Sequence, residues 1–365
     1  MVGTRLSLKH FKTPPPHLDA PFALYPVSIL KPLKGTDEGL EENLKSFFKL
    51  NYPDFEILFS VADERDPAAS VVKKLMRHYP RVCARLIVGY VDAGPNPKVN
   101  NMIKSYDQAK HDWILISDSN VRVEKNYVKR LVAHLDPSVG MVTAAVAGRN
   151  SEGLGGALES VYLNTFYARG MIITDRLGHP CVIGKSMLFR RSVAARFGGI
   201  QTLARYLAED YMAGQAMGKL GLRVVIASDP VVQIIGKYKF KEFWSRHIRW
   251  GRIRKTQAPI PFLYEPFTNA IVSGVLGAFG LHQLFGFPVH SVLLVHLSVW
   301  AFCDILLMKK LKTEVGFFLP LYWFMRELLA LPLWIHIASG NTVSWRGSRL
   351  RLETGGILAA TPVTR

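Results

Sequence analysis

Short apolar runs alternate with amphipathic segments along the first two thirds of the chain. Runs of about four to eight apolar residues predict buried strands, and apolar positions three and four residues apart predict helices. The predicted strands are 27–30, 55–61, 84–88, 113–116, 141–146, 181–189 and 223–227. The predicted helices begin near Thr36 and then cover 67–79, 98–109, 127–135, 153–174 and 207–220. This alternation predicts an α/β domain over 27–236 with a mostly parallel, doubly wound sheet, after a flexible lead-in over 1–26.

The pattern changes after residue 236. Residues 237–260 mix aromatic and basic side chains. A helix here places its aromatic residues on one face and its arginines on another, which is typical of a helix lying at a membrane surface. Three apolar segments follow at 268–287, 291–308 and 315–338, each close to the ~20 residues that a helix needs to cross a bilayer. We therefore predict membrane segments over 261–340 and a basic tail over 341–365.

Basic residues predict the orientation of these segments. Arg252, Arg254 and Lys255 precede the first segment, and Lys309 and Lys310 follow the second. Because positive charge accumulates on the cytoplasmic side, both ends and the α/β domain are expected there. The third segment carries a charged pair, Arg326 and Glu327, near its middle. We expect that segment to be interrupted or to lie against the α/β domain, with the two charges paired inward.

Composition narrows the class of protein. The 365 residues contain 46 Lys and Arg against 28 Asp and Glu, a net charge of +18, and 49% hydrophobic residues. With apolar segments present, an anionic membrane surface explains this charge better than nucleic acid, for which no binding-module signature is visible. The three cysteines are widely spaced, which excludes a disulfide framework and a cysteine-based zinc site. The basic first residues contain no apolar core of a signal peptide.

Asp118 is the central candidate for chemistry. It follows the apolar run 113–116 and is therefore predicted at the carboxyl end of a buried strand, the edge of an α/β sheet where ligands bind. Many aspartates at this position only start a turn. With Ser119 and Asn120 beside it, the carboxylate resembles a half-site for Mg²⁺ or Mn²⁺, which take oxygen ligands and share them with substrate phosphates.

Two other groups are predicted at the same edge. Asp63 and Asp66 follow the strand 55–61 and could bind a ribose or a base, whereas Asp66 could equally cap the helix that Pro67 begins. Lys98 and Asn101 lie at another connection from strand to helix. They could hold phosphate or sugar hydroxyls, or could belong only to a helix cap.

Two further groups come later in the chain. Glu209 and Asp210 stand at the start of a predicted helix, where acidic residues often only complement the helix dipole, but where a carboxylate could also act as a general base. Arg246, Arg249 and Trp250 fall on one helix face and could neutralise a departing diphosphate and stack on a ring. The alternative for this second group is an interfacial helix with a tryptophan at the membrane surface.

Together these motifs resemble a known family. Three spaced aspartates followed by Arg-X-X-Arg-Trp are similar to the pattern of membrane glycosyltransferases with the GT-A fold, a pattern shared with cellulose-type and hyaluronan-type synthases. A closer likeness, to the ceramide glucosyltransferase family, extends from about Val27 to Gly356. The segments that carry it are Lys31-Pro-Leu-Lys-Gly35, Asp66-Pro67-Ala68, Asn96-Pro-Lys-Val-Asn-Asn101, Asp118-Ser119, Ala208-Glu-Asp210, Arg246 to Trp250 and Ser344-Trp-Arg346.

The resemblance implies a GT-A-type, Rossmann-like sheet followed by C-terminal transmembrane helices, and inverting transfer of glucose from UDP-glucose to the primary hydroxyl of ceramide. Asp66 and Asp118 would be the first two motif aspartates, serving nucleotide and divalent metal, with Asp63 as the alternative to Asp66. Asp210 would accept the proton. Glu209 and the Arg246 to Trp250 segment would serve the diphosphate and acceptor side, and Asp118, Asp210 and the arginines would share one cleft.

Several alternatives remain open at this stage. A related transferase could use UDP-N-acetylglucosamine or act on a hopanoid or another lipid. A processive polysaccharide synthase is disfavoured by the small number of apolar segments, and a non-catalytic membrane scaffold by the number of intact motif positions. One departure from the family is that its usual N-terminal membrane anchor is not visible in this sequence.

Overall fold

The computed structural model describes residues 1–16, 24–313, 316–345 and 348–359. The chain divides into two compact units. The sheet unit consists of Lys9–Arg149 and Gly170–Gly236, and the helical unit consists of Met1–Leu8, Asn150–Arg169 and Lys237–Arg365.

The elements follow the predicted alternation closely. The strands are β1 (Val27–Pro32), β2 (Phe55–Val61), β3 (Ala84–Val88), β4 (Trp113–Ile116), β5 (Val121–Arg122), β6 (Val139–Glu152), β7 (Met187–Arg190), β8 (Arg223–Lys237), β9 (Thr342–Trp345) and β10 (Ser348–Arg351). The helices are α1 (Val2–His10), α2 (Leu40–Phe48), α3 (Pro67–His78), α4 (Pro97–Asp107), α5 (Tyr127–Val132), α6 (Gly153–Tyr162), α7 (Ala168–Arg176), α8 (Arg191–Ala195), α9 (Glu209–Lys219), α10 (Phe240–Gln257), α11 (Pro259–Tyr264), α12 (Ala270–Phe285), α13 (Val289–Lys310) and α14 (Leu319–Ala338). A π-helical turn, Leu163–Tyr167, joins α6 to α7, and short 3₁₀ turns cover Ile200–Arg205, Glu265–Thr268 and Thr354–Gly356.

The sheet unit contains a mixed sheet in the order β3-β2-β1-β4-β7-β6-β8-β5. The first four strands pair in parallel, as predicted. The prediction of a mostly parallel sheet is wrong for the other half, because β7 pairs antiparallel with both β4 and β6, and β5 pairs antiparallel with β8. Alternation along the chain does not specify which strands become neighbours, so the pattern alone could not reveal this half.

The parallel half of the sheet positions the candidate residues. Strands β1 and β4 are buried along their whole length, as expected for strands covered on both faces. Leu30, Ile114 and Ile116 of these strands share one core cluster with Met102 of α4 and Met217 of α9. The chain that leaves β4 and the helices α4 and α9 is thereby anchored to one packed core.

Two predictions about local structure are wrong. Helix α1 lies within the predicted flexible lead-in; it has few apolar positions, and therefore no periodic pattern to reveal it. Of the predicted strand 181–189, only residues 187–189 are in a strand, β7, which continues to Arg190. The residues before it form a loop in which Gly184 and Lys185 contact other polar groups, which removes them from the ladder.

The helical unit contains α10 and the apolar helices. Phe243, His247 and Gly251 are the buried residues of α10. Of the aromatic residues predicted to share one face, Phe243 is buried, whereas Phe240 is exposed. Among the described residues, α13 is the one helix long and apolar enough to cross a membrane, and α12 is apolar but shorter. Of the three predicted membrane segments, only the second corresponds to a described helix with the length and composition of a membrane span. Residues 314–315 at the start of the third lie outside the described residues.

Helix α14 is continuous rather than interrupted, and it packs on α10 and α6 within the helical unit. Arg326 and Glu327 are both buried and form an ion pair, so the two charges face inward as predicted. Glu327 also accepts hydrogen bonds from the Asn269 side chain at 2.7 Å and from the Ala270 N–H at 2.8 Å, at the first turn of α12. The middle of α14 therefore lies beside the start of α12.

Candidate active site

Asp118 lies at the carboxyl end of β4 and contacts three lysines. Its Oδ1 is 2.8 Å from Nζ of Lys98, and its Oδ2 is 3.1 Å from Nζ of Lys185. Its backbone carbonyl accepts a hydrogen bond of 2.5 Å from Nζ of Lys31, a fully buried residue of β1 whose Nζ lies 3.9 Å from the Phe47 ring centroid. Burial lowers the pKa of Lys31 well below its usual range, so the cations beside the Asp118 carboxylate are Lys98 and Lys185.

Lys98 connects this carboxylate to the start of α9. Its Nζ is also 2.8 Å from Oε1 of Glu209. The other oxygen of Glu209 accepts a hydrogen bond of 3.0 Å from the Asn96 amide, while Oδ1 of Asn96 caps α4 by accepting from the Lys98 N–H at 2.9 Å. Asn96 is fully buried and thus fixes both the helix start from which Lys98 extends and the carboxylate that Lys98 contacts.

Asp210, one residue further along α9, accepts a backbone hydrogen bond on each oxygen. The Gly184 N–H donates to Oδ2 at 2.6 Å, and the Tyr211 N–H donates to Oδ1 at 2.8 Å. A Cβ atom placed on Gly184 would lie 3.3 Å from Oδ2 of Asp210 and 3.7 Å from Oδ1 of Asp118, and it would overlap Nζ of Lys98. Asp118, Asp210 and Lys98 therefore converge over Gly184, inside the sheet unit.

Burial and neighbouring charges together move the pKa values of Asp118, Lys98 and Asp210 away from their usual ranges. Burial favours the neutral form of Asp118, but Lys98 and Lys185 outweigh it and hold the pKa of this carboxyl well below its usual range. Burial also opposes the charge on Lys98, yet Asp118, Glu209 and Asp210 raise its pKa. Burial and the neighbouring Glu209 raise the pKa of Asp210 to about 6, against the opposing effects of Lys98 and two backbone N–H groups.

The other residues predicted at the sheet edge have local roles. Asp66 caps α3 by accepting from the Ala68 N–H at 2.9 Å, and both of its oxygens accept from the Gly35 N–H at 3.0 Å. Asp63 is exposed and pairs with Arg65, whose hydrogen bonds lower the pKa of Asp63 to about 2. The structure thus favours the capping interpretation of Asp66, and a nucleotide role for either aspartate stays a prediction.

Asn101 also has a bonding pattern that a helix cap would not explain. Its amide donates to the Leu33 carbonyl at 3.1 Å and to the Ser60 carbonyl at 3.2 Å, which ties together the chain leaving β1 and the end of β2. Its Oδ1 atom is buried and accepts no hydrogen bond from the residues that the structure describes. A phosphate or sugar contact by Asn101 remains a prediction.

The Arg-X-X-Arg-Trp segment lies on α10 in the helical unit. The Arg246 guanidinium lies 4.2 Å from the Trp250 ring centroid, as their spacing predicts, and Arg249 is half-buried on the same helix. Nε of Arg246 is 3.0 Å from Oε1 of Glu159, and the other oxygen of Glu159 is 2.7 Å from Nε2 of His247. Glu159, fully buried on α6, is therefore the counter-ion of this motif.

Sequence reasoning missed several residues that shape these sites: Lys31, Asn96, Gly184, Lys185 and Glu159. Three of them belong to stretches that the sequence marked for other reasons. Lys31 and Asn96 stand in the segments that carry the family resemblance, and Glu159 stands in the predicted helix 153–174. Gly184 and Lys185 fell in a stretch predicted as strand. Arg346, in the last of the resembling segments, lies outside the described residues.

Comparisons with known proteins agree with these motifs. The model of the family described as Glycosyl transferase family 21 matches residues 3–358. Ceramide glucosyltransferase 1 of Caenorhabditis elegans is 31% identical over 336 residues, covering 90% of this chain and 72% of the relative. Ceramide glucosyltransferase of Komagataella phaffii is 30% identical over 418 residues, covering 90% of this chain and 82% of the relative.

A solved structure is also similar along most of the chain. The mannosyltransferase PcManGT from Pyrobaculum calidifontis, in complex with GDP-Man and Mn²⁺, aligns with 93% of this chain and 95% of its own at 16% identity, with a TM-score of 0.46. The family match and the two curated relatives carry the assignment. This chain belongs to glycosyl transferase family 21, as the ceramide glucosyltransferases similar to it indicate, and it is a hexosyltransferase.

Proposed function

We propose that this protein transfers glucose from UDP-glucose to the primary hydroxyl of ceramide, with inversion at the anomeric carbon. The observation that carries the proposal is the convergence of Asp118, Lys98 and Asp210 over Gly184. Asp210 can accept a proton, and the Lys98 ammonium group can stabilise the negative charge of a diphosphate. Direct sugar transfer requires both functions.

Asp210 is suited to the role of general base. A carboxylate has about four acceptor positions, and the Gly184 and Tyr211 N–H groups use one on each oxygen. The remaining positions can accept the hydrogen bond of an alcohol. The pKa of about 6 makes Asp210 a stronger base than an ordinary carboxylate while it stays ionised at neutral pH.

The reaction then proceeds in one displacement. The acceptor oxygen forms a bond to the anomeric carbon, the bond from that carbon to the diphosphate oxygen breaks, and the proton of the hydroxyl passes to Asp210. The developing negative charge falls on the diphosphate. Lys98 and Lys185 are the cations of the sheet unit that we assign to it, since both are held beside Asp118.

The donor set around Asp118 also fits a divalent cation. Mg²⁺ and Mn²⁺ are commonly bound by one or two carboxylates together with substrate phosphates and water, rather than by a complete protein cage. Asp118 is kept ionised, and the space between it and Gly184 is occupied by Nζ of Lys98, so a bound cation would take the place of that ammonium group. Such a cation, held by Asp118 and the donor, would stabilise charge on the leaving diphosphate.

A lipid acceptor agrees with the surface of the helical unit. Helices α12 and α13 expose large apolar side chains, and only 17% of the most apolar window of α13 is buried. Leu284 is 76% exposed and Leu294 is 68% exposed. An apolar surface of this kind is unfavourable in water and is typical of a membrane contact. We propose that these helices insert in the bilayer and that the sheet unit is cytoplasmic, on the side of Lys309 and Lys310.

The arginine motif retains its role by resemblance. We assign Arg246, Arg249 and Trp250 to the diphosphate and acceptor side, and Glu209 to the same reaction through its ion pair with Lys98. Because Arg246 is paired with Glu159 and stacked on Trp250, we expect it to act from a fixed orientation.

The test is transfer by the purified full chain in lipid vesicles. Radiolabelled UDP-glucose and UDP-N-acetylglucosamine are each offered with ceramide, diacylglycerol or a hopanoid alcohol, and the lipid product is identified by mass spectrometry. We expect a β-linked glucosylceramide from UDP-glucose and ceramide. Label in another lipid or from the other donor would replace this proposal, and the Asp210→Asn variant, expected to be inactive, is the control.

A further inference from the structure

The Lys98 ammonium group lies between the carboxylates of Asp118 and Glu209, where a metal cation could otherwise bind. It lies 2.8 Å from one oxygen of Asp118 and 2.8 Å from one oxygen of Glu209, and it is the group that a Cβ on Gly184 would meet first. A divalent cation bound to that oxygen of Asp118 would come within a few ångströms of the ammonium group. The two cations would repel each other strongly at this distance.

The charge balance of the site depends on what is bound. The carboxylates of Asp118, Glu209 and Asp210 face the ammonium groups of Lys98 and Lys185. Burial lowers the pKa of Lys31, behind Asp118, well below its usual range, so Lys31 is not counted as a cation here. A nucleoside diphosphate adds about two negative charges to this set. In the free site each oxygen of Asp118 is already paired with one lysine, whereas the site with donor needs more positive charge.

Resting on the function proposed above, we infer that Lys98 closes Asp118 to divalent cations until the donor arrives. The diphosphate attracts the ammonium group away from Asp118, and the vacated oxygen then accepts the cation that the donor brings. The chain thereby couples metal binding to nucleotide binding, and it binds a divalent cation weakly when no nucleotide is present.

The two lysines beside Asp118 differ in the exposure of their side chains and in the groups they contact. Lys185 has an 8% exposed side chain and donates to Oδ1 of Asn120 at 2.6 Å, within the loop that precedes β7. Lys98 has a 17% exposed side chain and extends from the first turn of α4, with Gly184 rather than a larger residue beside its tip. Lys98 also pairs with Glu209, so its ammonium group can leave Asp118 for a diphosphate on its flexible stem and keep a carboxylate beside it, while Lys185 keeps its place.

The experiment measures binding rather than turnover. The full chain in detergent is titrated with MnCl₂, with and without UDP, and the electron paramagnetic resonance signal of free Mn²⁺ reports the bound fraction. We expect UDP to tighten Mn²⁺ binding at least tenfold in the native protein. In Lys98→Met we expect Mn²⁺ to bind without UDP at least tenfold more tightly than in the native protein, and the effect of UDP to shrink below threefold.

Two control variants test whether the coupling requires a positive charge at position 98 in particular. Lys98→Arg keeps a cation beside Asp118 and should retain the native coupling. Lys104→Met removes the same charge from the same helix, two turns away, and should also behave like the native protein. The inference is overturned if the native protein binds Mn²⁺ equally well with and without UDP, or if Lys98→Met leaves Mn²⁺ affinity unchanged.

The two proposals fail separately. A protein that shows the coupling but transfers no sugar to any lipid overturns the proposed function and supports the role of Lys98. A protein that makes glucosylceramide without the coupling overturns the role of Lys98 and supports the proposed function.

Discussion

The carboxyl group of Asp210 sets the pH dependence that we expect for sugar transfer. Burial and the adjacent Glu209 raise its pKa to about 6, and a general base acts only when ionised. The pKa is raised, so ionisation is lost at a higher pH than for an ordinary carboxylate. Initial rates at low acceptor concentration should be constant above pH ~7 and fall about tenfold per unit below pH ~6.

Two controls accompany this pH profile. Intrinsic fluorescence must show that the protein stays folded across the range. Asp210→Asn should lower the rate by roughly 10²–10⁴-fold at neutral pH and remove the fall below pH ~6. A native profile that falls only near pH ~4, where an ordinary carboxyl titrates, would contradict the raised pKa and with it the assignment of Asp210 as base.

Gly184 should be intolerant of even one methyl group. Its φ angle is not in the left-handed region, so alanine is compatible with the backbone, but the added Cβ would overlap Nζ of Lys98 and lie 3.3 Å from Asp210. We expect Gly184→Ala to displace the ammonium group and weaken UDP binding about tenfold with little change in melting temperature. Gly218→Ala, on α9 in open space, should leave both quantities unchanged.

The sequence predicted the positions of individual candidate residues, but it did not predict which groups they contact. Asp118, Asp210 and Lys98 were each predicted at a strand end or helix start, and they converge. Their pairing could not be predicted, because Gly184 lies far from Asp118 along the chain and its hydrogen bond to Asp210 is made by the backbone N–H. Asp66 illustrates the reverse, a motif residue whose position before a proline equally suited a helix cap.

Glu159 links two elements of the helical unit, α6 and α10. It is fully buried between Arg246 and His247, and burial, as the largest effect, lowers the pKa of His247. Glu159→Gln would leave the Arg246 guanidinium without its counter-ion. Removing one partner of a buried pair typically costs about 3–5 kcal/mol, so we expect the free energy of unfolding in detergent to fall by that order.

A control and a kinetic readout define the role of Glu159. Glu152→Gln, an exposed carboxylate where α6 begins, should change the free energy of unfolding by less than ~0.5 kcal/mol. If Glu159 orients Arg246 on the diphosphate side, Glu159→Gln should also raise the KM for UDP-glucose. Unchanged stability together with unchanged KM would show that the ion pair contributes to neither packing nor orientation.

The strands and helices could be predicted where residues close together in the sequence determine them. Helices α3 and α4 begin at Pro67 and Pro97, next to residues whose side chains cap them, and β1 to β4 are short apolar runs. The antiparallel half depends on long-range pairing, such as β7 with β4, that leaves no trace in the spacing of apolar residues. Strand β5, with two residues, is too short to give a pattern.

The charge of +18 and the exposed apolar helices predict different responses to lipid composition. Insertion of α12 and α13 would hold the protein in vesicles of any lipid, whereas attraction of basic residues to the surface requires anionic lipid and is screened by salt. We expect the protein to remain with neutral vesicles during flotation at ~1 M NaCl. Release under those conditions would favour a peripheral protein.

The position of α14 decides which side of the membrane holds the end of the chain. Nζ of Lys255, at the end of α10, donates to the carbonyls of Ala338 and Gly340 at 3.0 and 2.8 Å, so α14 ends beside the helix that precedes the membrane segments. Glu327 meets the first turn of α12, so the middle of α14 is near the same side. We therefore predict that α14, held at both points, does not cross the bilayer.

A labelling experiment follows from this geometry. In a chain whose three cysteines are replaced by serine, Asn341→Cys should resist a membrane-impermeant maleimide in intact cells and react after lysis. Phe287→Cys, in the turn between α12 and α13, should react in intact cells. This contrast is expected if, as proposed above, α12 and α13 cross the bilayer while α14 stays on the side of the basic residues, as the charge bias favours. Labelling of Asn341→Cys from outside would instead make α14 a third span and place that basic tail against the charge bias.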